Sequence, residues 1–211
     1  IAGLCVLFYS AIFPFRKFAT DMLASNLDLD IKDAAAYFSY FPIGAMILTP
    51  FIGFFLDKKG YGASMMLYGA ILLTVSHLIF ALVPAEIFNV PIAILTIVIL
   101  GTAFSLVPAS MWPSVPKIVE ERYLGSAYGS IFWIQNIGLM LVPVLIGWSV
   151  TASNPGVSEL IAAKVPGAKY DYTVPELIFA GFGVLAIILS FVLKMVDRKK
   201  GYGLDLPNIK K

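Results

Sequence analysis

The sequence predicts an all-α membrane protein with six transmembrane helices. Three observations carry that prediction. Of 211 residues, 59% are hydrophobic and 13% are charged, where an ordinary soluble domain carries about 25% charged residues. Mean hydropathy is +0.87, more apolar surface than a soluble fold of this size can hide. The apolar residues fall in long runs divided by polar turns, and about 20 such residues cross a hydrocarbon layer about 30 Å thick. Only helices and closed barrels satisfy every backbone group there, and strand-like alternation is absent.

The spans are placed at about 1–24, 34–56, 62–83, 91–116, 124–150 and 175–196, with a cytoplasmic tail at 197–211. Pro14 is expected to bend or break the first span. The second and fourth contain no charge, and the sixth is the uncharged run between Glu176 and Lys194. Polar pieces separate the spans, the longest being Thr151–Pro175. The chain opens at Ile1 inside an apolar run, without Met or a basic leader, so a piece of a longer polypeptide is expected.

Several functions are set aside. The single cysteine, Cys5, excludes an intrachain disulfide. A net charge of +2 without a basic patch gives no footprint for nucleic acid. No metal-ligand cluster, nucleophile–base pair or phosphate-cradling glycine loop is seen, so neither an enzyme nor a cofactor is expected. The partners expected are a lipid bilayer and a small-molecule substrate.

Basic residues orient the chain. Lys58, Lys59, Lys117, Arg122, Lys194, Arg198, Lys199, Lys200, Lys210 and Lys211 share one side; Arg16, Lys17, Lys32, Lys164 and Lys169 share the other. The tail and the Asp57 and Arg122 loops are therefore expected in the cytoplasm. Asn26, Asn89 and Asn154 are not in glycosylation sequons, which favours a bacterial inner membrane.

Gly53-Phe54-Phe55-Leu56-Asp57-Lys58-Lys59-Gly60 resembles the G-x-x-x-D-[RK]-x-G-[RK]-[RK] loop of the major facilitator superfamily. It departs from the pattern at Tyr61 and Gly62. Phe13-Pro14-Phe15, Met111-Trp112-Pro113, Leu124–Gly129 and Ile134–Leu139 together resemble the lysosomal dipeptide-transporter branch and its bacterial relatives. The resemblance implies the C-terminal half of a twelve-helix fold, built as two inverted three-helix repeats. It also implies an N-terminal six-helix half as partner, and transport of a dipeptide or similar zwitterion by alternating access. A sugar, sugar-phosphate or organic-anion carrier is the alternative, and a non-transporting receptor or scaffold a further one.

Site residues follow from helical spacing of about 100° per residue. Tyr9, Phe13 and Arg16 share one face of the first span, with Lys17 beside it. Arg16 either receives a substrate carboxylate through its planar fork or snorkels to the outer headgroups. Tyr40, in a face with Tyr37, Phe41 and Gly44, either lines a cavity or joins an interfacial belt. Tyr128, Phe132, Gln135 and Leu139 form one face of the fifth span, and Gln135 is the amide expected towards a cavity. Gly125, Gly129, Asn136 and Pro143 form the other, expected to pack closely against a neighbour.

Gly53, Asp57, Lys58, Gly60 and Trp112 are the gating candidates. Asp57 is expected against the positive N-terminus of a helix in the other half, the alternative being a solvated turn. Trp112 either plugs an inner gate or anchors at the interface. His77 reads either as a proton carrier or as a neutral residue hydrogen-bonded between helices.

Overall fold

The computed structural model describes residues 1–209. Lys210 and Lys211, counted above with the basic residues of the tail, lie outside the described residues. The first span is α1 (Ala2–Ile12) with α2 (Phe15–Leu27), and the second is α3 (Ile31–Phe38) with α4 (Tyr40–Lys59). The third and fourth are α5 (Gly62–Leu82) and α6 (Val90–Ile118). A 3-10 turn (Glu121–Tyr123) leads into α7 (Leu124–Ser153), the fifth. Short α8 (Val157–Ala162) lies in the following loop, and α9 (Thr173–Lys200) is the sixth span. All six are long and apolar enough to cross a bilayer, and no strand occurs among the described residues.

Local chemistry sets the breaks. Pro14 has no N–H to continue α1, and α2 restarts with an N–H of Lys17 donating to the Pro14 carbonyl at 3.0 Å. Asn89 caps α6, its side chain accepting from the Ile92 N–H at 3.2 Å, with Pro91 in the first turn. The α4–α5 turn needs positive φ at Gly60 (83°) and Tyr61 (70°), a conformation that favours glycine at the first of these. Helices also run past the uncharged stretches: α9 begins early enough to take Glu176 into its first turn, and it carries Asp197–Lys200 as helix.

The packing has an internal symmetry. α5 packs on α9 and on α6, α6 on α4, and α1 on both α7 and α9. Exchanging spans one with four, two with five and three with six maps these contacts onto themselves. That is the pattern of two inverted three-helix repeats.

Small residues set the close approaches. Gly183 on α9 lies against Thr74 on α5, whose Cα is 3.1 Å from where a Cβ would stand. Gly101 on α6 lies against the Phe41 carbonyl, and Gly138 on α7 against Ser10 and Val6 of α1. The expected close-packing face of the fifth span is thereby corrected. Gly125 and Gly129 have open space beside them, while Ile131, Gln135, Gly138, Val142 and Ile146 are the buried stripe. Periodicity identifies a helix's faces but not which one meets a neighbour.

Past α9 the chain folds back across the same end of the bundle. Tyr61 and Gly62 donate backbone N–H groups to the Asp205 (2.9 Å) and Leu204 (3.1 Å) carbonyls. Asp205 accepts from the Ser64 N–H at 3.0 Å and the Ser64 hydroxyl at 3.2 Å, so a distant carboxylate caps α5. Lys194 donates to Ser64 and lies 3.6 Å from Asp205. Lys117 Nζ donates to the Leu206 carbonyl at 2.7 Å, and Leu204 is fully buried.

Two expectations follow. Gly183→Ala must push a methyl into Thr74 and should cost about 1–3 kcal/mol, read as a lower unfolding midpoint, whereas Gly125→Ala should not lower it. Asp205→Ala removes the cap and should cost about 0.5–2 kcal/mol, read as faster amide exchange at Ser64.

Candidate functional site

Aromatic rings from four spans form one connected surface. Phe13 follows α1 directly, and its ring stacks on Tyr9 at 5.3 Å between centroids. Phe104 on α6 meets Tyr9 (6.4 Å), Phe13 (6.1 Å) and Phe41 of α4 (5.6 Å). Trp112 on α6 meets Tyr9 (6.4 Å), Tyr128 (6.0 Å) and Phe132 (4.9 Å). Pairs at these separations attract through edge-to-face and offset stacking.

Trp112 joins three spans. Its indole N–H donates to the Tyr9 hydroxyl at 3.2 Å. The Tyr128 hydroxyl donates to the Trp112 carbonyl at 3.1 Å. That carbonyl has no helical partner because the fourth residue on is Pro116, so the α7 tyrosine satisfies a group that proline orphaned.

Arg16 sits at the other end of this surface. Its guanidinium carbon lies 5.7 Å from the Phe13 ring centroid and 5.9 Å from that of Phe41, within reach of a cation–π attraction. It is exposed, as is Lys17. Neither forms an ion pair among the described residues. The cluster thus offers an unpaired planar cation beside apolar rings and two phenol hydroxyls. α1, α6 and α7 contain no Asp or Glu, so the rings these helices bring to Arg16 come without a carboxylate.

Tyr9, Phe13, Arg16, Phe132 and Trp112 are brought together, with Lys17 adjacent. Tyr40 is not: it is exposed and makes no ring contact with the cluster, while Phe41 turns inward. Gln135 and Asn136 exchange the surroundings read from spacing. Gln135 is buried, with Oε1 3.5 Å from the Cys5 thiol on α1, whereas Asn136 is exposed and donates to its own helix at the Phe132 carbonyl. Phe104 was missed: it lies eight residues before Trp112, about 80° round the helix from it, and its meeting with Tyr9, Phe13 and Phe41 depends on the packing of other spans.

At the tail end of the bundle, Asp57 is half-buried. Its Oδ1 accepts from Asn208 at 2.9 Å, and its carbonyl accepts from the Ile209 N–H at 3.2 Å. The helix N-terminus beside it, that of α5, is capped by Asp205 rather than by Asp57. Gly60 makes the turn and lies against the Asp205 carbonyl, whereas Gly53 has open space beside it. Lys58 places its ammonium 4.2 Å from the Phe54 ring centroid.

His77, at the opposite end, is hydrogen-bonded between helices, with Nδ1 2.7 Å from Glu176 Oε2. The sequence left this partner unseen because Glu176 stood outside the uncharged run of the sixth span.

Comparisons with known proteins agree with this architecture. The chain is 28% identical over 202 residues to the lysosomal dipeptide transporter MFSD1 of Mus musculus, covering 96% of this chain and 39% of that protein. It is 31% identical over 144 residues to MFSD1 of Gallus gallus, covering 68% of this chain and 31% of the relative. The chain thus spans about two fifths or less of the curated relatives it matches. A crystal structure of the nucleoside transporter NupG superposes with a TM-score of 0.72 at 20% identity, covering 90% of this chain and 46% of that one. Residues 2–205 match the Major Facilitator Superfamily. With six spans in two interlocked triplets and a match along nearly its whole length, this chain is a multi-pass membrane protein that belongs to the Major Facilitator Superfamily.

Proposed function

We propose that the chain is the C-terminal half of a secondary transporter that moves a dipeptide or similar zwitterion by alternating access, rocking against an N-terminal six-helix half. The observation that carries this reading is the unpaired Arg16 guanidinium held over Phe13 and Phe41 at the edge of an aromatic surface. A planar fork receives a carboxylate bidentately, and the rings of Tyr9, Phe13, Phe104, Phe132 and Trp112 receive an apolar side chain. Lys17 adds positive potential. Tyr40 and Gln135 stand behind this surface, Tyr40 at a rim and Gln135 holding α7 to α1. The amine of a zwitterion needs an anion, and the partner half supplies it. The chain's similarity to dipeptide transporters supports the same substrate class.

The gate lies at the turn from Gly53 to Gly60. Asp57 holds one state of the alternation through its acceptor oxygens, and the state is released when those contacts break. Lys58 and Gly60 shape the turn, and Trp112 closes the cavity from the tail side. The distribution of basic residues supports a cytoplasmic position for that side, in a bacterial inner membrane.

An organic-anion carrier is the second reading, favoured by the same cation pair without a carboxylate nearby. Uptake of a labelled dipeptide by the complete transporter, competed by sugars and by simple carboxylates, separates the two. A dipeptide should compete and an amine-free carboxylate should not.

Loss of a charge-assisted hydrogen bond costs about 1.5–3 kcal/mol. Arg16→Ala should therefore weaken dipeptide affinity about 10- to 100-fold, with Arg16→Lys in between. Unchanged affinity removes Arg16 from the site. Asp57→Asn keeps the acceptor and removes the charge, and should shift the inward/outward balance about two- to fivefold. Paired labelling of cysteines placed at the two ends reads that balance, and an unmoved balance assigns Asp57 to a solvated turn.

A further inference from the structure

His77 and Glu176 form a titratable pair that the transport reading does not use. Their side chains are 0% and 2% exposed, and Nδ1 lies 2.7 Å from Oε2. The other imidazole nitrogen, Nε2, is buried without a hydrogen-bond partner. The pair joins α5 to α9 near the end opposite the tail, Glu176 standing about 5 Å along α9 from its start at Thr173.

Its lid belongs to the first span. The Phe15 ring stands edge-on to the imidazole at 5.1 Å, and Phe179 lies at 5.2 Å. Phe15 also contacts Phe80 at 5.6 Å and Phe179 at 5.9 Å. Phe15 opens α2 immediately after Pro14, one residue before Arg16. The residue sealing the pair and the residue proposed to hold substrate thus share one turn beyond the break.

Other charged and titratable groups on the surrounding elements are few. α2 carries Arg16, Lys17 and Asp21, all exposed; α3 carries Lys32, Asp33 and Tyr37. Asp171 and buried Tyr172 precede α9. Apart from His77, α5 has only Tyr68, α6 nothing before Lys117, and α9 nothing between Glu176 and Lys194. None of these pairs with His77 or Glu176 among the described residues.

Such a pair is electrically neutral when it holds one proton. Removing that proton strands a buried carboxylate. Adding a second makes both ring nitrogens donors and strands a buried imidazolium whose Nε2–H has no acceptor. Either state is disfavoured while the lid is shut. Once Phe15 moves away, water reaches Nε2 and the second proton becomes tolerable. A site that binds a proton better in one arrangement shifts the equilibrium towards it.

We propose that His77 and Glu176 form a proton-binding site in the wall of this half, where acid favours the arrangement in which Phe15 and the first span have swung off α5 and α9. The inference rests on the alternating-access reading only in requiring two arrangements, and it adds to that rocking a movement of the first span relative to α5 and α9 within this chain.

The test uses the complete transporter in lipid, without substrate, spin-labelled at Thr20→Cys and Leu177→Cys. Pulsed distance measurements at about pH 7.5 and about pH 5.5 bracket the histidine range. Acid should enlarge the longer-distance population, by up to about tenfold per pH unit for one linked proton. His77→Gln should abolish or reverse that shift, since only a carboxylate is left to titrate. The double variant His77→Gln/Glu176→Gln, which keeps a hydrogen-bonding pair, should show none. Glu176→Gln alone should keep the acid response, because the imidazole still takes the proton. A wild-type distribution that does not change with pH overturns the proposal. So does an undiminished shift in the double variant. Where the double variant does not fold, an undiminished shift in His77→Asn overturns it equally. Because no substrate is present, the result is independent of the Arg16 affinity test, and either can fail without the other.

Discussion

In the hydrocarbon layer no water is present to satisfy a polar group, so each must find its partner within the protein. Much of this structure is a consequence of that constraint. It makes the spans helical, and it then demands a remedy wherever proline interrupts the ladder. The Tyr128 hydroxyl supplies one remedy at the Trp112 carbonyl left over by Pro116. Serine and threonine hydroxyls meet the same demand by donating back to their own helices, as Thr74 does to Ala70 and Ser110 to Leu106. At Pro116 the remedy comes from a side chain of a neighbouring span, and that break falls beside the aromatic surface.

The ends of the bundle answer the constraint differently. At the tail end, the returning chain lends its own carbonyls and the Asp205 carboxylate to the start of α5, and its Asn208 amide to Asp57. The turn proposed as a gate is thus already engaged within this half, and any contact it makes across to a partner must compete with Asn208. At the opposite end, one carboxylate and one imidazole neutralise each other inside an aromatic seal. Between them, the Arg16 guanidinium has rings but no acid for company. That asymmetry leaves a cation among rings as the distinguishing chemistry of this surface.

How much could be read in advance differed from residue to residue. The break at Pro14 was legible because it is a property of one residue and its missing N–H. Tyr9, Phe13 and Arg16 were legible as a group because they sit on one short helical face. Gln135 and Asn136 were not. Adjacent residues point about 100° apart, and which of them meets α1 depends on how α7 is rotated in the bundle, which neighbours decide. Tyr40 stands exposed while its neighbour Phe41 turns inward, an orientation that spacing along one helix does not fix. Glu176 fell inside the sixth span as read from the sequence, but nothing local named its partner, and only the placement of His77 opposite it makes its burial tolerable.

Composition and the length of the apolar runs were sufficient to establish a six-helix membrane protein, since the cost of exposing polar backbone to lipid acts on each segment separately. The loop at Asp57 and the order of the short motifs were sufficient to point to the family. Which faces touch, which glycines are crowded, where the tail returns and what His77 binds were settled only by the tertiary structure. Those depend on contacts between residues such as Ser64 and Asp205 that are far apart in the chain, and no local pattern encodes the partner of a contact.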